Sequence, residues 1–441
     1  TETQKGIYYD WEKARDALQY NIPIAILIAG YALPDTAQLK EAMLAVMEIH
    51  PYLKIRLVIR DGQILQQRRD TQTVEILVIN SDESRMDSVM NRFVQPFDLF
   101  HDDLYRFEIH RTQKNVYLLM DFHHIAFDGF SMGIFLQDLK SALEGKGLSA
   151  EAVSAFDVAL YEQEALGSEA FSKAEKYFDE LTGGECSMSV IPPSTRIPET
   201  REKGSCEEIL PGKEIDAFCK DYGVTANTFF LSVLCQAVQR FTREQDVVLT
   251  ISSGGRADAR LDRTVGMFVK TLPVKTKITP RKFVEFAKDL QEQVFSTMEH
   301  DIFPFTRMVE KYGIIPQINY VYEGGLGIEM SLDNVPLDII FLDLESAKFP
   351  FGIVAEPCDR GYKLSVQYDV LKYAKEDVGR FLSLYRNIAL QAARQPVTLT
   401  SELELMDDRE RALVLQYSRG AYLPYDTTKT FIDLFRENVR K

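Results

Sequence analysis

The sequence predicts a mixed α/β fold (α+β) made of two halves, and three observations lead there. With 441 residues the chain is too long for one ordinary hydrophobic core, so two units of about 200 residues are the natural division. Segments of alternating apolar residues, as in half-buried strands, take turns with segments of helical period in both halves. Between them runs a Gly- and Pro-containing stretch, from Gly183-Gly184 through Pro192-Pro193 to Gly204, which places the boundary near residue 180.

The elements follow in order. Ile24–Leu33 reads as a core strand, and Asp35 or Thr36 can cap a helix with Leu39, Met43, Val46 and Met47 on one face. Lys54–Arg60 and Gln63–Arg68 flank Asp61-Gly62, a strong hairpin signal. Strands are expected near Val74–Ile79 and Tyr105–His110, and a third over 116–122, where Val116, Leu118, Met120 and Phe122 alternate with Tyr117, Leu119 and Asp121. Ile134, Phe135, Leu139, Ala142 and Leu143 predict a helix over 131–143, with further helical segments to about Lys176. The second half begins with helices Lys213–Tyr222 and Ala226–Phe241 and a strand near Val247–Ser252. Strand Met267–Thr276, helix Arg281–Met298 and strand Pro316–Tyr322 come next, then a hairpin around Asp359-Arg360-Gly361 and a closing helix Lys375–Ala393.

Bulk properties exclude several function classes. Apolar residues make up 45% and charged residues 27% of the chain, as in a soluble globular protein. A net charge of −15 argues against nucleic acid or an anionic membrane as the main partner. The cysteines at 186, 206, 219, 235 and 358 are scattered, odd in number and lack a CxxC, which suits a reducing compartment and indicates neither a zinc site nor a disulfide framework. Ile22–Leu33, the longest apolar stretch, is too short to span a bilayer and contains Pro23 and Gly30. No signal-peptide pattern opens the chain and Thr1 replaces an initiator Met, so a piece of a longer cytoplasmic protein is expected. Ser253-Gly254-Gly255-Arg256 invites a phosphate-loop reading, but it has neither GK[ST] nor a full GxGxxG.

Residues 123–129, His-His-Ile-Ala-Phe-Asp-Gly, carry the chemistry. Six histidines in a chain this long fall side by side by chance roughly once in fifteen shuffles, and the added Asp and Gly make coincidence far rarer. The pair lies where a strand hands over to a helix, a common position for catalytic groups. His124 can take or guide a proton near neutral pH, whereas His123 reads as structural. Asp128 and Gly129 form the turn that holds His124, and Asp128 can also cap the next helix through its free N–H groups.

Taken with other segments, this motif makes the chain resemble a condensation domain of a non-ribosomal peptide synthetase. Thr1-Glu2-Thr3-Gln4 is similar to the family's opening S-x-A-Q, and His50–Leu57 stands where the family has R-H-E-x-L-R-T-x-F. His123–Gly129 matches H-H-x-x-x-D-G, with Ser131 continuing it, and Asp157-Val158-Ala159 resembles D-F-A. Val265–Thr271 resembles V-G-x-F-V-N-T, His300–Phe305 resembles H-Q-D-Y-P-F, and Gln317–Tyr320 fits a later strand segment. The order and separations agree over roughly residues 1–400. Residues 403–441, with Met406–Arg411 and Lys429–Phe435, resemble the linker into an adenylation domain.

The resemblance implies two chloramphenicol acetyltransferase-like lobes, residues 1–180 and 181–402, forming a V-shaped pseudo-dimer with a central tunnel and the His motif at its middle. It implies no permanently bound cofactor. Upstream donor and downstream acceptor peptidyl carrier proteins would feed phosphopantetheine arms into the tunnel, and the acceptor amine would attack the donor thioester. Direct transfer is expected, since no Ser or Cys appears as a nucleophile paired with His124. His124 would act as a base or orient the amine, and the Gly129 N–H is a candidate oxyanion donor. Asp128 would pair with a basic residue, and Lys54, Arg56, Arg256 and Arg263 all remain open. Gly6, Lys54 and Lys270 depart from the family pattern.

The rivals share the fold or the motif. An epimerization domain has the same His core, but its chain does not lead into an adenylation linker. A cyclization domain replaces the His pair with aspartates. A coenzyme A-dependent acyltransferase of the HxxxD type would carry D-F-G-W-G, of which Phe349–Gly352 is only an echo, and the single Trp is Trp11. A catalytically silent domain that recruits a partner would typically lack His124.

Overall fold

The computed structural model describes residues 1–441 except 30–34, 184–186, 198–203, 325–330, 333–334, 343–347, 407, 421–425, 427 and 441. Helix α1 (Glu2–Lys13) precedes strand β1 (Asn21–Ala29) and helix α2 (Thr36–Ile49). The hairpin β2 (Ile55–Arg60) and β3 (Gln63–Arg68) follows, then β4 (Leu77–Asn80), α3 (Met86–Phe93), β5 (Tyr105–Arg111) and β6 (Asn115–His123). Helices α4 (Gly129–Leu143), α5 (Ala155–Ala165) and α6 (Glu169–Thr182) come next. Beyond them lie β7 (Ser205–Leu210), α7 (Gly212–Tyr222), α8 (Ala226–Thr242), β8 (Asp246–Ser253) and β9 (Lys270–Lys277). Helices α9 (Phe283–Glu299) and α10 (Phe305–Tyr312) lead to β10 (Ile318–Tyr322), the short pair β11 (Ser331–Leu332) and β12 (Val335–Pro336), and β13 (Asp338–Phe341). The chain closes with β14 (Phe351–Cys358), β15 (Gly361–Tyr368), α11 (Lys375–Arg394), α12 (Asp408–Ser418) and α13 (Phe431–Val439).

Two mixed sheets organise these elements. The first has the order β13-β1-β6-β5-β4 and the second β7-β15-β14-β10-β8-β9. Strand β6 is the middle of the first sheet and is buried along almost all of its length. Met120 and Phe122 face a core shared with Met43 of α2 and Phe135 of α4, while Tyr117 and Leu119 face Met86 and Phe93 of α3. A strand covered on both faces needs apolar residues at nearly every position, which is what 116–122 supplies. The second sheet packs on α8 and α11, whose buried faces include Phe229, Phe230, Phe381 and Tyr385. A smaller cluster joins the two: Ile7 and Trp11 of α1, Ile125 and Ala126 after β6, and Met267 and Phe268 before β9.

Local chemistry explains most of the boundaries. Asp61 and Gly62 both have positive φ (52° and 74°), the primed turn that the Asp-Gly pair favours. Thr1 and Gln4 form a capping box on α1, and Asp35 caps α2. The helix expected from Ser131 starts two residues earlier, because Asp128 accepts the Ser131 N–H and makes Gly129 the first helical residue. The strand predicted over Met267–Thr276 begins only at Lys270, since the Phe268 N–H goes to Asp128 instead of a ladder. Strands β7 and β13 and helix α10 were not foreseen; β7 is a half-exposed edge strand and β13 a short one paired with β1. The end of the apolar stretch Ile24–Leu33, from residue 30 on, lies outside the described residues, as does Cys186. Among the described residues no helix is long and apolar enough to cross a membrane.

Candidate active site

The His pair sits where β6 ends. Asn21 is the register partner of His123, and the His123 N–H donates to the Leu104 carbonyl at 3.0 Å, so the strand carries the pair to the rim of the sheet. The chain then turns tightly: the Ala126 N–H donates to the His123 carbonyl (3.0 Å) and the His124 N–H to the Tyr20 carbonyl (2.7 Å). Gln4, from the opening motif, reaches across from α1 and donates to the Ile125 carbonyl at 2.6 Å. Backbone bonds on both sides therefore hold His124 in place.

The two histidines differ in role by their surroundings. His123 is buried; its Nδ1 accepts the Ile125 N–H at 3.1 Å, and its ring lies edge-on to Phe97 at 5.7 Å. Burial, helped by the nearby charges of Lys348 and Arg106 and by His124, pushes its pKa down to about 3, so it stays a neutral wedge in the turn. His124, by contrast, is half-buried. Burial first and the Lys348 charge second hold it well below the usual histidine value, against backbone hydrogen bonds at His124 and Phe127 that work the other way. Its Nδ1 lies 3.2 Å from the Met267 sulfur. A thioether has no proton to give, so this contact favours the tautomer with its proton on Nδ1.

Asp128 is turned inward and pins the turn after β6 to Arg256 and Phe268 ahead of β9. It is fully buried and caps α4, with Oδ1 accepting the Ser131 N–H and hydroxyl, both at 2.8 Å. Its basic partner is Arg256: Nη1 to Oδ2 is 2.9 Å and Nη2 to Oδ1 is 3.0 Å, a bidentate fork. The guanidinium lies 4.6 Å from the ring centres of both Phe130 and Phe268. The Phe268 N–H completes the carboxylate at 3.0 Å.

The other cations left open by the sequence are engaged elsewhere. Lys54 donates to Glu48 at 3.1 Å, Arg56 to Gln67 at 3.2 Å, and Arg263 pairs with Asp138. The Gly254-Gly255 pair serves this pin: Gly255 has φ +63°, and a Cβ there would lie 1.9 Å from the Phe268 carbonyl oxygen. Gly129 is exposed at the first position of α4, where its N–H has no intrahelical partner, and a Cβ would meet nothing within 4 Å.

Sequence reasoning missed Met267, Tyr20 and Lys348. Met267 lies inside the recognised segment Val265–Thr271, but a Met there reads as core. The Lys348 ammonium sits 5.9 Å from the centre of the Tyr20 ring, which is 6.2 and 6.4 Å from the rings of His123 and His124. Burial brings its pKa down to about 8, so a cation stands near the pair without a local signal in the chain. Other quoted segments have packing roles: His300 stacks on Tyr177 at 4.3 Å, and buried Asn319 accepts from Thr250 at 2.8 Å. Among the described residues no group of His, Cys, Asp or Glu is arranged to hold a metal ion.

Comparison with known proteins places the chain in a family. The chain is 22% identical to surfactin synthase subunit 1 of Bacillus subtilis over 99% of its own length and 13% of that protein's. It is 23% identical to bacitracin synthase 3 of Bacillus licheniformis over 100% of its length and 7% of that protein's, so it spans a small part of each relative. Among solved structures, the first condensation domain of the calcium-dependent antibiotic synthetase superposes with a TM-score of 0.76 at 15% identity, covering 92% of this chain and 98% of that one. The X-domain from teicoplanin biosynthesis gives 0.79 at 19% identity, covering 92% and 97%. These likenesses show the shared fold. The condensation-domain family model matches residues 1–415, and the chain accordingly belongs to the condensation domains, the family found in non-ribosomal peptide synthetases.

Proposed function

We propose that this domain forms an amide bond between a donor acyl or peptidyl thioester and the amine of an acceptor aminoacyl thioester, both tethered to carrier proteins by phosphopantetheine. One observation carries the reading: a half-buried imidazole at the end of β6, held below its usual pKa by burial, with Nδ1 3.2 Å from the Met267 sulfur, so that Nε2 is the nitrogen proposed to meet the amine. A thioester is already activated, so the main need is to hold the amine against the carbonyl in attack geometry. The amine nitrogen bonds to the carbonyl carbon, the oxyanion gathers next to the Gly129 N–H, and the C–S bond then breaks. The proton lost by nitrogen passes to His124 Nε2 and ends on the leaving thiolate. An imidazole held well below its usual value is a weak base, so orienting the amine by hydrogen bonding comes first, and proton uptake follows once C–N bond formation makes the nitrogen acidic.

The rest of the reading is organisational. Lobes divide near residue 180, residues 403–441 form the linker toward a following adenylation domain, and donor and acceptor carriers reach the site from opposite sides. In support, the His motif is built from both halves, since Arg256, Met267 and Phe268 complete it. Incubating the domain with a donor-loaded carrier and an aminoacyl thioester surrogate tests the activity, with the amide product read by mass spectrometry. Amide formation above the uncatalysed rate is expected. Carrier binding without any product would assign the domain to partner recruitment instead.

A further inference from the structure

The buried cluster around His50 lies outside the motif and does more than pack. His50 is at the C-terminal end of α2, fully buried, with Nδ1 2.6 Å from Glu151 Oε1 and Nε2 2.8 Å from Asp138 Oδ2. Ionised carboxylates only accept hydrogen bonds, and a neutral imidazole has a single N–H. Both nitrogens must therefore carry protons. The two carboxylates continue outward: Asp138 also takes the Arg263 guanidinium, and Glu151 Oε1 also accepts the Val265 N–H at 2.8 Å. Two cations balance two anions, with the side chains of His50, Asp138 and Glu151 all at most 4% exposed. Among the described residues Glu151 Oε2 is buried without a hydrogen-bond partner, so this carboxylate depends on His50 for its positive charge.

The residues held by the cluster lead straight into the site. After Val265, the Gly266 N–H donates to Ser131 Oγ at 3.0 Å, Met267 touches His124, and the Phe268 N–H reaches Asp128. There is no slack at Gly266, where a Cβ would come within 2.8 Å of Ala155 and of the Phe268 ring. A shift at Val265 must pass to Met267.

Resting on the proposed role of His124, we infer that His50 is held as an imidazolium that clamps segment 263–268 to the first half and so positions Met267 and Phe268 around the His motif. It is a positioning residue, acting through that segment. The charged groups around it are Asp138 on α4, Glu151 ahead of α5, and Arg263 through Asp138; Lys54 turns away to Glu48. Burial alone would lower the His50 pKa, but the bonds to Asp138 and Glu151 outweigh it and raise it above the usual histidine value. The clamp is thus fully present below the unfolded histidine value and is lost as pH rises through the folded one. Asp138, held below the usual carboxylate range by His50 and Arg263 despite burial, sets the acid edge.

Two measurements on the full chain test this. In ¹⁵N-histidine-labelled protein at pH 7.5, the signal that disappears in His50→Gln should show both ring nitrogens protonated; one unprotonated nitrogen would overturn the proposal. In carrier-to-carrier transfer, His50→Gln should lower kcat roughly ten- to a hundredfold through misplacement, with KM for the carrier little changed. Adding Glu151→Gln to it restores charge balance and should recover part of that loss, which a purely space-filling role would not produce. Unchanged kcat in His50→Gln, or a double variant no better than the single, would refute the clamp. Should His50→Gln fail to fold, Glu151→Gln alone carries the test: His50 should then deprotonate at a lower pH than in wild type, and an unmoved titration would refute it. The nitrogen spectra need no turnover, so a domain without transferase activity would defeat the functional reading and leave this one standing or falling by itself.

Discussion

Arg256→Ala attacks the pin that ties the His motif to the segment before β9, and its cost can be worked from the geometry. The guanidinium and the Asp128 carboxylate are 4% and 0% exposed and share parallel bonds of 2.9 and 3.0 Å. Without Arg256, the carboxylate stays buried on Ser131 and the Phe268 N–H, and stripping one side from a buried pair costs about 3–5 kcal/mol. Losing the stack between Phe130 and Phe268 adds roughly 1 kcal/mol. Arg256→Lys keeps the charge but not the fork, so its loss should be smaller. Trp11 is the only tryptophan and packs with Ile125, Ala126, Met267 and Phe268, so its fluorescence during urea unfolding follows this joint. A cycle with Asp128→Asn, itself expected to lose activity by loosening the motif loop, should give a coupling of about 2 kcal/mol or more. Arg256→Ala within about 1 kcal/mol of wild type, with no coupling, would refute the pin.

Other consequences follow from single contacts. Gly255→Ala should destabilise by about 4 kcal/mol or more, because its Cβ would collide with the Phe268 carbonyl. Gly254→Ala, whose Cβ meets nothing within 4 Å, is the control, and equal melting temperatures for the two would contradict the account. Asp121 is fully buried, accepts from Asn21 at 2.7 Å and has its pKa pushed up to about 7 by burial. A carboxyl raised in the folded state favours folding less as pH climbs from its unfolded value to its folded one. Asp121→Asn also gives up the Arg106 pair at 3.4 Å, yet its stability relative to wild type should rise from pH 4 to pH 8. Thermal melts at both pH values check this, and a pH-independent difference would count against a strained carboxylate.

What was legible in the sequence was local. The His motif, the strand before it and the Asp128 cap all lie within one short stretch, where period and side-chain chemistry speak together. The Asp61-Gly62 turn is of the same kind. What was not legible depends on distance along the chain. Arg256 is 128 residues from Asp128, and one sequence gives no reason to prefer it over Lys54, Arg56 or Arg263. Met267 reads as core until its sulfur is seen against His124. The His50 clamp needs Asp138, Glu151 and Arg263 brought together from four separate segments, which only folding does. Strand β13 is four residues long and pairs with β1 from far down the chain, too short for its own period to announce it.

The most direct test of the account compares wild type with His124→Ala, using a donor-loaded and an acceptor-loaded carrier protein and intact-mass spectrometry of both carriers. The account predicts that the donor acyl mass moves to the acceptor carrier with wild type and that His124→Ala binds both carriers yet loses most of this transfer. Transfer at near-wild-type rate in the variant would remove His124 from the chemistry and leave positioning by the fold alone.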